Sequence, residues 1–271
     1  MADYGGAMSA RRIGALWTSL GMQAVGATTL AVTLAVLGRW PAFSADAVPW
    51  AIALAITGGL PLYLLYRALA LGPIAVVSPV VASYAALTVI LVVIFLGERL
   101  ALEQVVAIGI TFVGVVLATT DLRALLTTVG RPAPGVRLGA LATVGFAVWG
   151  TLLAAASRHH DGLALIVLWR TAAVAMLAAV ALASRRRIAL PVPPTTIALI
   201  IGVGVFDTLG NVAFVLGVGA GQAAVTATGS GLYPLVPALL GIVLLGERLA
   251  PNQYAGIALT VVGLVALGLR S

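Results

Sequence analysis

The chain has 271 residues, of which 62% are hydrophobic and 8% charged, and its mean hydropathy is +1.15. Soluble globular domains contain about 45–50% apolar and about 25% charged residues, so this composition excludes an ordinary soluble protein and indicates an integral membrane protein. The formal charge of +7 comes from fifteen basic residues, all of them Arg, and most lie in short connections between apolar runs. That placement is typical of membrane topology and not of a nucleic-acid-binding face.

Apolar runs of about twenty residues, long enough to cross a hydrocarbon layer of about 30 Å as helices, recur along the chain. Because such helices satisfy their own backbone hydrogen bonds in lipid, the sequence predicts an all-α, polytopic membrane helix bundle. Nine spans are predicted, at residues 13–38, 47–71, 74–96, 102–120, 137–157, 163–184, 195–218, 224–246 and 252–270. Segment 121–136 is rich in Arg, Gly and Pro and is the one predicted linker.

The first span follows a basic segment, an order that resembles a secretory signal peptide. Its apolar part continues to Gly38, which is too long for the apolar region of such a signal. We therefore expect an uncleaved first span.

The hexapeptide LGERLA occurs twice, at 96–101 and at 245–250. When the sequence is shifted by 149 residues, 72–118 aligns without gaps on 221–267, and 17 of the 47 aligned residues are identical. Apolar composition alone produces some of these matches, but it does not produce an identical charged hexapeptide in register. The alignment therefore indicates an internal repeat.

The two predicted halves are 13–120, with four spans, and 137–270, with five. Equivalent spans lie five crossings apart, and an odd number of crossings reverses direction. The repeats are therefore predicted to be inverted, a pattern found in many secondary transporters.

Each LGERLA copy has a simple local interpretation. The helix ends at Gly, and the Glu and Arg that follow are solvated in the headgroup region. Adjacent residues on a helix do not face one another, so no salt bridge is expected between Glu98 and Arg99.

The segments LTVILVVIFLGERLALEQVVAIGITFVGVVLA and LYPLVPALLGIVLLGERLAPNQYAGIALTVVGLVALG resemble the two EamA repeats of the drug/metabolite transporter superfamily. The resemblance extends over almost the whole chain from about residue 47. It implies two inverted five-span bundles around a central cavity, and the movement of small metabolites or drugs, commonly outward. It does not indicate the substrate.

The first half has one span fewer than this family pattern. Pairing Trp17 with Trp169 makes the first predicted span equivalent to the second span of the second half, so the first span of the first repeat is predicted to be absent. Either the start codon was placed too far downstream, or the chain is a nine-span member of the family. With nine spans, nine Arg residues lie on the side of the N-terminus and four on the other, which favours an N-terminus inside. A ten-span arrangement would instead place the Arg run at 185–187 outside.

Asp207 is the one acidic residue deep within a predicted span, where a charge costs roughly 2.5–3.5 kcal/mol on insertion scales. Asn211 lies one turn later on the same helix face, with Thr208 at its edge. These residues have two interpretations: a proton or substrate site, or a polar contact that holds helices together.

Arg170 lies seven residues into the sixth span and has two interpretations as well. Its guanidinium either extends to the membrane interface or pairs with Asp207. Counted from the side where the sixth span begins, the depths of Arg170 and Asp207 are about 10 and 16 Å, a difference that the long Arg side chain spans. We predict an ion pair for which the solute or a proton competes, so that proton coupling requires the pair to open.

The stretch ATGSGLYPLVP at 227–237 contains small residues and two prolines inside a predicted span. Its freed carbonyls must face protein or a wet cavity. We predict that Gly231, Tyr233 and Pro234 line such a cavity, although a kink that serves packing alone is the alternative. The aromatic residues predicted to line it, each of which is alternatively core or interface, are Tyr63, Tyr84, Tyr233, Trp149 and Trp169.

The leading functional prediction is a secondary transporter of a small-molecule substrate that works by alternating access, with protons as a candidate coupling ion and no cofactor. The absence of Cys, of HExxH and of GxSxG argues against an enzyme, and His159 and His160 beside Asp161 have no further ligand nearby in the sequence. The alternative is a non-transporting subunit, such as an accessory partner in lipid-linked carrier movement. Substrate identity and oligomeric state stay open.

Overall fold

The computed structural model describes residues 2–38, 40–72, 74–119, 135–185, 191–221, 223–230 and 250–268. Within these ranges every regular element is a helix, as predicted. The described helices, in chain order, are α1 (Ala2–Ile13), α2 (Ala15–Val36), α3 (Ala47–Leu71), α4 (Ile74–Ala82), α5 (Tyr84–Leu96), α6 (Leu102–Thr119), α7 (Val136–Ala156), α8 (Gly162–Ala183), α9 (Pro194–Ala220), α10 (Ala223–Ser230) and α11 (Pro251–Gly268).

Seven predicted spans are confirmed as single helices with ends within a few residues, namely α2, α3, α6, α7, α8, α9 and α11. Among the described helices, α2, α3, α7, α8 and α9 are long and apolar enough to cross a membrane. The predicted span 224–246 begins as α10, and its remainder from residue 231 lies outside the described residues. The fold is therefore an all-α membrane helix bundle.

The first predicted span is confirmed as α2, which begins two residues later than predicted. Gly14 has φ +88°, a conformation that other residues rarely adopt, and it separates α2 from α1, a helix that was not predicted. Helix α1 packs against α9, where Gly5 lies next to Leu199 and Val203. Arg11 and Arg12 stop the apolar pattern two residues before Gly14, and the 12 residues of α1 are too few for a predicted span, so hydropathy did not indicate this helix.

The third predicted span, 74–96, is not one helix. It is interrupted at Ser83, between α4 and α5. The carbonyl of Val80 accepts hydrogen bonds from Ser83 Oγ at 2.6 Å and from Thr143 Oγ1 of α7 at 2.9 Å. Hydroxyls thus satisfy this carbonyl next to the break, as a helix interruption inside a membrane requires.

The two ends of the bundle are distinguished by contacts between distant segments. At the first, called the Arg11 end, Arg11 Nη2 donates to the carbonyls of Leu69 and Gly72 at 3.2 Å each. At the opposite Glu98 end, where α5 and α9 end, Glu98 forms an ion pair with Arg158 at 2.7 Å. Successive long helices run between these ends in alternating directions.

The two ends differ in charge among the described residues. The Arg11 end carries Arg residues only, which are Arg11, Arg12, Arg67, Arg137 and Arg185. The Glu98 end carries both signs, with Asp46, Glu98, Glu103, Asp161, Arg99 and Arg158. This asymmetry bears on orientation, because cytoplasmic connections are enriched in Lys and Arg.

Helices α6 and α11, one from each half, pack closely in antiparallel directions. Thr111 lies against Gly263, Gly114 against Thr260, and Ala118 against Gly256, so position increases along one helix as it decreases along the other. A Cβ added at Gly256 would come within 3.0 Å of backbone atoms of α6. Small residues therefore allow the two backbones to touch, as in other close membrane helix pairs.

Candidate functional site

The predicted ion pair between α8 and α9 is present. Arg170 Nη2 donates to Asp207 Oδ2 at 2.6 Å. The Arg170 side chain is 0% exposed and that of Asp207 is 38% exposed. The interpretation in which Arg170 extends to the membrane interface is therefore wrong, and a carboxylate held within reach explains how a guanidinium lies this deep in the bundle.

A third helix contributes a partner that the sequence analysis missed. Arg170 Nη1 donates to Gln23 Oε1 at 2.8 Å, and Gln23 of α2 is 1% exposed. An amide inside an otherwise apolar span was the available signal. Because 147 positions separate the two residues, nothing local pointed from one to the other.

Asp207 also accepts a hydrogen bond within its own helix, since Asn211 Nδ2 donates to Asp207 Oδ2 at 3.3 Å. The predicted grouping of these two residues is confirmed. Thr208 belongs to the buried side, where its hydroxyl donates to the Gly204 carbonyl at 2.7 Å. Both partners of the Asp207 carboxylate bind Oδ2, and Oδ1 has no hydrogen-bond partner in the described part of the chain.

Gly26 of α2 leaves the space that the guanidinium occupies. A Cβ at this position would lie within 3.0 Å of Arg170 Nη1 and Thr208 Oγ1. The site is therefore a junction of three helices, in which α2 supplies an amide and a gap, α8 the cation, and α9 the carboxylate.

An aromatic ring lies against the buried cation. The Arg170 Cζ atom lies 5.0 Å from the ring centroid of Trp169, within the range of a cation–π interaction. Trp169 and Trp149 meet edge to face with centroids 5.5 Å apart. Both indoles are buried in the main hydrophobic cluster, which agrees with the core interpretation of these residues.

Three buried donors near this cluster lack partners among the described residues, namely Arg170 Nε and the indole nitrogens of Trp149 and Trp169. An unpaired buried donor costs about 1–3 kcal/mol, and native proteins rarely leave such groups without water or a ligand. Chemically, the site combines unpaired donors with one free carboxylate oxygen.

The other residues predicted to line the cavity lie only partly in the described part of the chain. Gly231, Tyr233 and Pro234 lie outside the described residues. Tyr84 is half-buried, and its hydroxyl donates to Ser230 Oγ at the end of α10 at 3.5 Å. Tyr63 packs against the cluster that contains Leu16 and Leu177.

The Glu of the first LGERLA copy has a role that its turn alone did not indicate. Gly97 ends α5 with φ +67°, as predicted. Glu98, however, is not solvated, because its side chain is 9% exposed. It accepts hydrogen bonds from the backbone N–H groups of Ala223 at 2.9 Å and Ala224 at 3.0 Å. The first half thus caps the N-terminus of α10 in the second half.

Glu98→Gln is expected to lower the stability of the purified protein by about 1.5–3 kcal/mol, since charge-assisted hydrogen bonds to a buried carboxylate are lost. Arg158→Gln is expected to cost at most about 1 kcal/mol, because this partner is 38% exposed. Thermal unfolding in detergent measures both. Glu103→Gln, at an exposed position on the next turn, is the control, and a loss equal to that of Glu98→Gln would contradict the capping role.

Comparison with known proteins adds to this picture. A family model described as the EamA-like transporter family matches residues 7–120 and 133–269. The chain is also similar to a solved structure described as "Crystal structure of protein", with a TM-score of 0.71 and 17% sequence identity over 100% of this chain and 99% of that one. At this identity the likeness supports the fold alone. No curated protein matches the chain by sequence.

Proposed function

Because the chain belongs to the EamA-like transporter family, whose members move small solutes across membranes, we propose that it is a secondary transporter, not an enzyme, and that it exports a small metabolite or drug across the cytoplasmic membrane. We propose alternating access as its mechanism, with 13–120 and 137–270 as inverted halves. The outward direction rests on the family resemblance.

The inverted arrangement is supported by the packing of α6 against α11. Thr111 and Gly114 correspond to Thr260 and Gly263 under the shift of 149 residues. Each threonine lies against the glycine of the other helix, in antiparallel directions. Equivalent helices that run in opposite directions are what inverted repeats require.

Single cysteines at Leu102 and Pro251 are expected to react with a membrane-impermeant thiol reagent from opposite sides of the membrane. These positions correspond under the same shift, each begins a helix, and both are exposed. The chain has no Cys, so the background is low. Labelling of both from the same side of intact cells or oriented vesicles would exclude inverted halves.

The observation that carries the proposed site is the Arg170–Asp207 pair, in which the Arg170 side chain is fully buried and the Asp207 side chain is partly exposed. Two charges inside a membrane protein are costly unless paired, and intramembrane ionisable residues commonly mark solute or ion pathways. We propose that the solute binds at Asp207, Asn211 and Arg170, and that Tyr84, Gly231, Tyr233 and Pro234 line the path.

Proton coupling is the proposed energy source, with Asp207 as the proton carrier. While Asp207 Oδ2 is held by Arg170 and Asn211, its uptake of a proton requires this pair to open in at least one access state. A solute that carries its own hydrogen-bond donor competes for the same carboxylate. Solute and proton would then exclude each other, which is the exchange that a proton-driven exporter needs.

The experiment that tests this function begins with thermal stabilisation of the purified protein across metabolite and drug classes. Ligands that stabilise are then loaded into liposomes that contain this chain alone, and their flux is measured with and without a pH gradient. Flux driven by the gradient in wild type and lost in Asp207→Asn is the expected result. Flux that survives Asp207→Asn would exclude the coupling, and the absence of any flux would favour a non-transporting subunit.

A further inference from the structure

An apolar groove runs along the outer surface of the bundle between α2 and α9. This open groove has a volume of about 400 Å³. Its walls include Trp17, Leu20 and Ala24 of α2 and Ile197, Ile200 and Ile201 of α9. Along α2 it extends from Trp17 to Val25, about 12 Å of helix, and Ile13, the last residue of α1, continues it toward Arg12. This length is close to half of the ~30 Å hydrocarbon core, so the groove matches one acyl chain of one leaflet.

The groove has a charged end. Arg12 directly precedes Ile13, and its Nη1 donates to Thr195 Oγ1 at 3.0 Å and to Thr196 Oγ1 at 3.1 Å, both in the first turn of α9. These bonds fix the guanidinium above the groove. In the part of the chain that the structure describes, Nη2 and Nε of Arg12 have no hydrogen-bond partner. The first turn of α9 contains no acidic residue that would compete for the cation.

The position of this cation in the membrane agrees with an anionic ligand. Arg12 belongs to the Arg11 end, where the described charged residues are all Arg. By the positive-inside rule the number of Arg residues favours a cytoplasmic location for this end. The cytoplasmic leaflet carries the anionic lipids, and basic pockets between membrane helices on that side bind their headgroups.

We propose that this groove is a binding site for an anionic phospholipid of the cytoplasmic leaflet. The phosphate binds Arg12, and one acyl chain lies along Trp17, Leu20 and Ala24. A neutral lipid would meet the same apolar walls but gain little from the guanidinium. A soluble anion would gain from the guanidinium but leave the groove empty. An amphiphile with a negative headgroup satisfies both parts of the site.

Trp17 provides a reporter, because it lines the groove one turn from Ile13. The protein is reconstituted into phosphatidylcholine vesicles that contain a small fixed fraction of either brominated phosphatidylglycerol or brominated phosphatidylcholine. Bromine quenches indole fluorescence at short range. The chain has five Trp residues, so the Trp17 signal is taken as the difference between wild type and Trp17→Phe.

The apparent affinity measured by Trp17 quenching is expected to be about fivefold higher for brominated phosphatidylglycerol than for brominated phosphatidylcholine. This factor corresponds to the contribution of one basic residue near a membrane surface. Arg12→Gln should abolish the preference and Arg12→Lys should retain it. Arg137→Gln, which removes an exposed Arg at the same end, should leave it intact. Ala24→Phe, which fills the groove without changing Arg12, should reduce quenching by both lipids.

Three outcomes would overturn the proposal. Equal quenching of wild-type Trp17 by both lipids would mean ordinary contact with bulk lipid. A preference that persists in Arg12→Gln would assign it to the general charge of this end. Quenching of Trp17 by neither lipid would mean that the groove is covered by a second copy of the chain or by another part of the same chain. Because the readout is lipid binding, none of these outcomes depends on transport.

Discussion

Asp207→Asn is expected to lower the stability of the purified protein by about 3–5 kcal/mol, the usual cost of removing one partner from a buried ion pair. The cost arises because the guanidinium of Arg170, which is 0% exposed, loses its carboxylate and keeps the neutral Gln23 amide as a hydrogen-bond acceptor. Arg170→Gln is expected to cost less, because the stranded carboxylate of Asp207 is 38% exposed and keeps its hydrogen bond from Asn211.

The stability loss of the double variant Arg170→Gln with Asp207→Asn is expected to be clearly smaller than the sum of the losses of the two single variants. In the double variant no charged group is left without its partner. Thermal unfolding of all four proteins in the same detergent completes the double-mutant cycle. The exposed variant Arg137→Gln is the control for loss of a positive charge. Additive losses would show that the two side chains do not interact, and a larger loss for Arg170→Gln would contradict the asymmetry in burial.

Gly256→Ala is expected to separate α6 from α11 and to destabilise the protein by about 2–3 kcal/mol, at the upper end of the range for overpacking. The added Cβ would lie within 3.0 Å of the Ala118 nitrogen, the Gly114 oxygen and the Leu117 carbonyl carbon. These are backbone atoms, so no side chain can rotate away to relieve the contact.

Gly109→Ala provides a matched control in α6. A Cβ at Gly109 would meet nothing within 4 Å, so this change is expected to alter stability by no more than about 0.5 kcal/mol. Gly263→Ala, which would meet the backbone of Thr111, should behave like Gly256→Ala. Similar unfolding temperatures for the three glycine variants would mean that the two helices are not held at close contact.

Several properties of the protein follow from its sequence alone. The bilayer requires long apolar helices, and this demand acts on each segment separately, which is why spans such as 47–71 and 163–184 were predicted to within a few residues. The pairing of Arg170 with Asp207 was predictable for a related reason. Both residues lie on consecutive antiparallel spans, so their depths can be counted from one membrane surface before any contact is known.

Contacts between distant helices were decided by the tertiary structure. Gln23 and Arg170 are 147 positions apart, and Glu98 caps a helix 125 positions further along the chain. Hydropathy does not indicate which apolar helices are neighbours, because lipid tails are as apolar as the side chains that pack in the core. A polar residue in a span therefore shows that a partner is needed, but only packing determines which helix supplies it.

The helix breaks at Gly14 and Ser83 were decided in the same way. Ser83 lies in a continuous apolar run, Gly14 lies at the start of one, and glycine is common in membrane helices without ending them. At Ser83 the break is compatible with the membrane because Thr143 of α7 reaches the Val80 carbonyl. The sequence by itself determined the membrane class and the spans, since these depend on local polarity, and the internal repeat, since this depends on identical residues in register. The tertiary structure alone decided where helices break and which distant polar groups meet, since those depend on the neighbours that satisfy them.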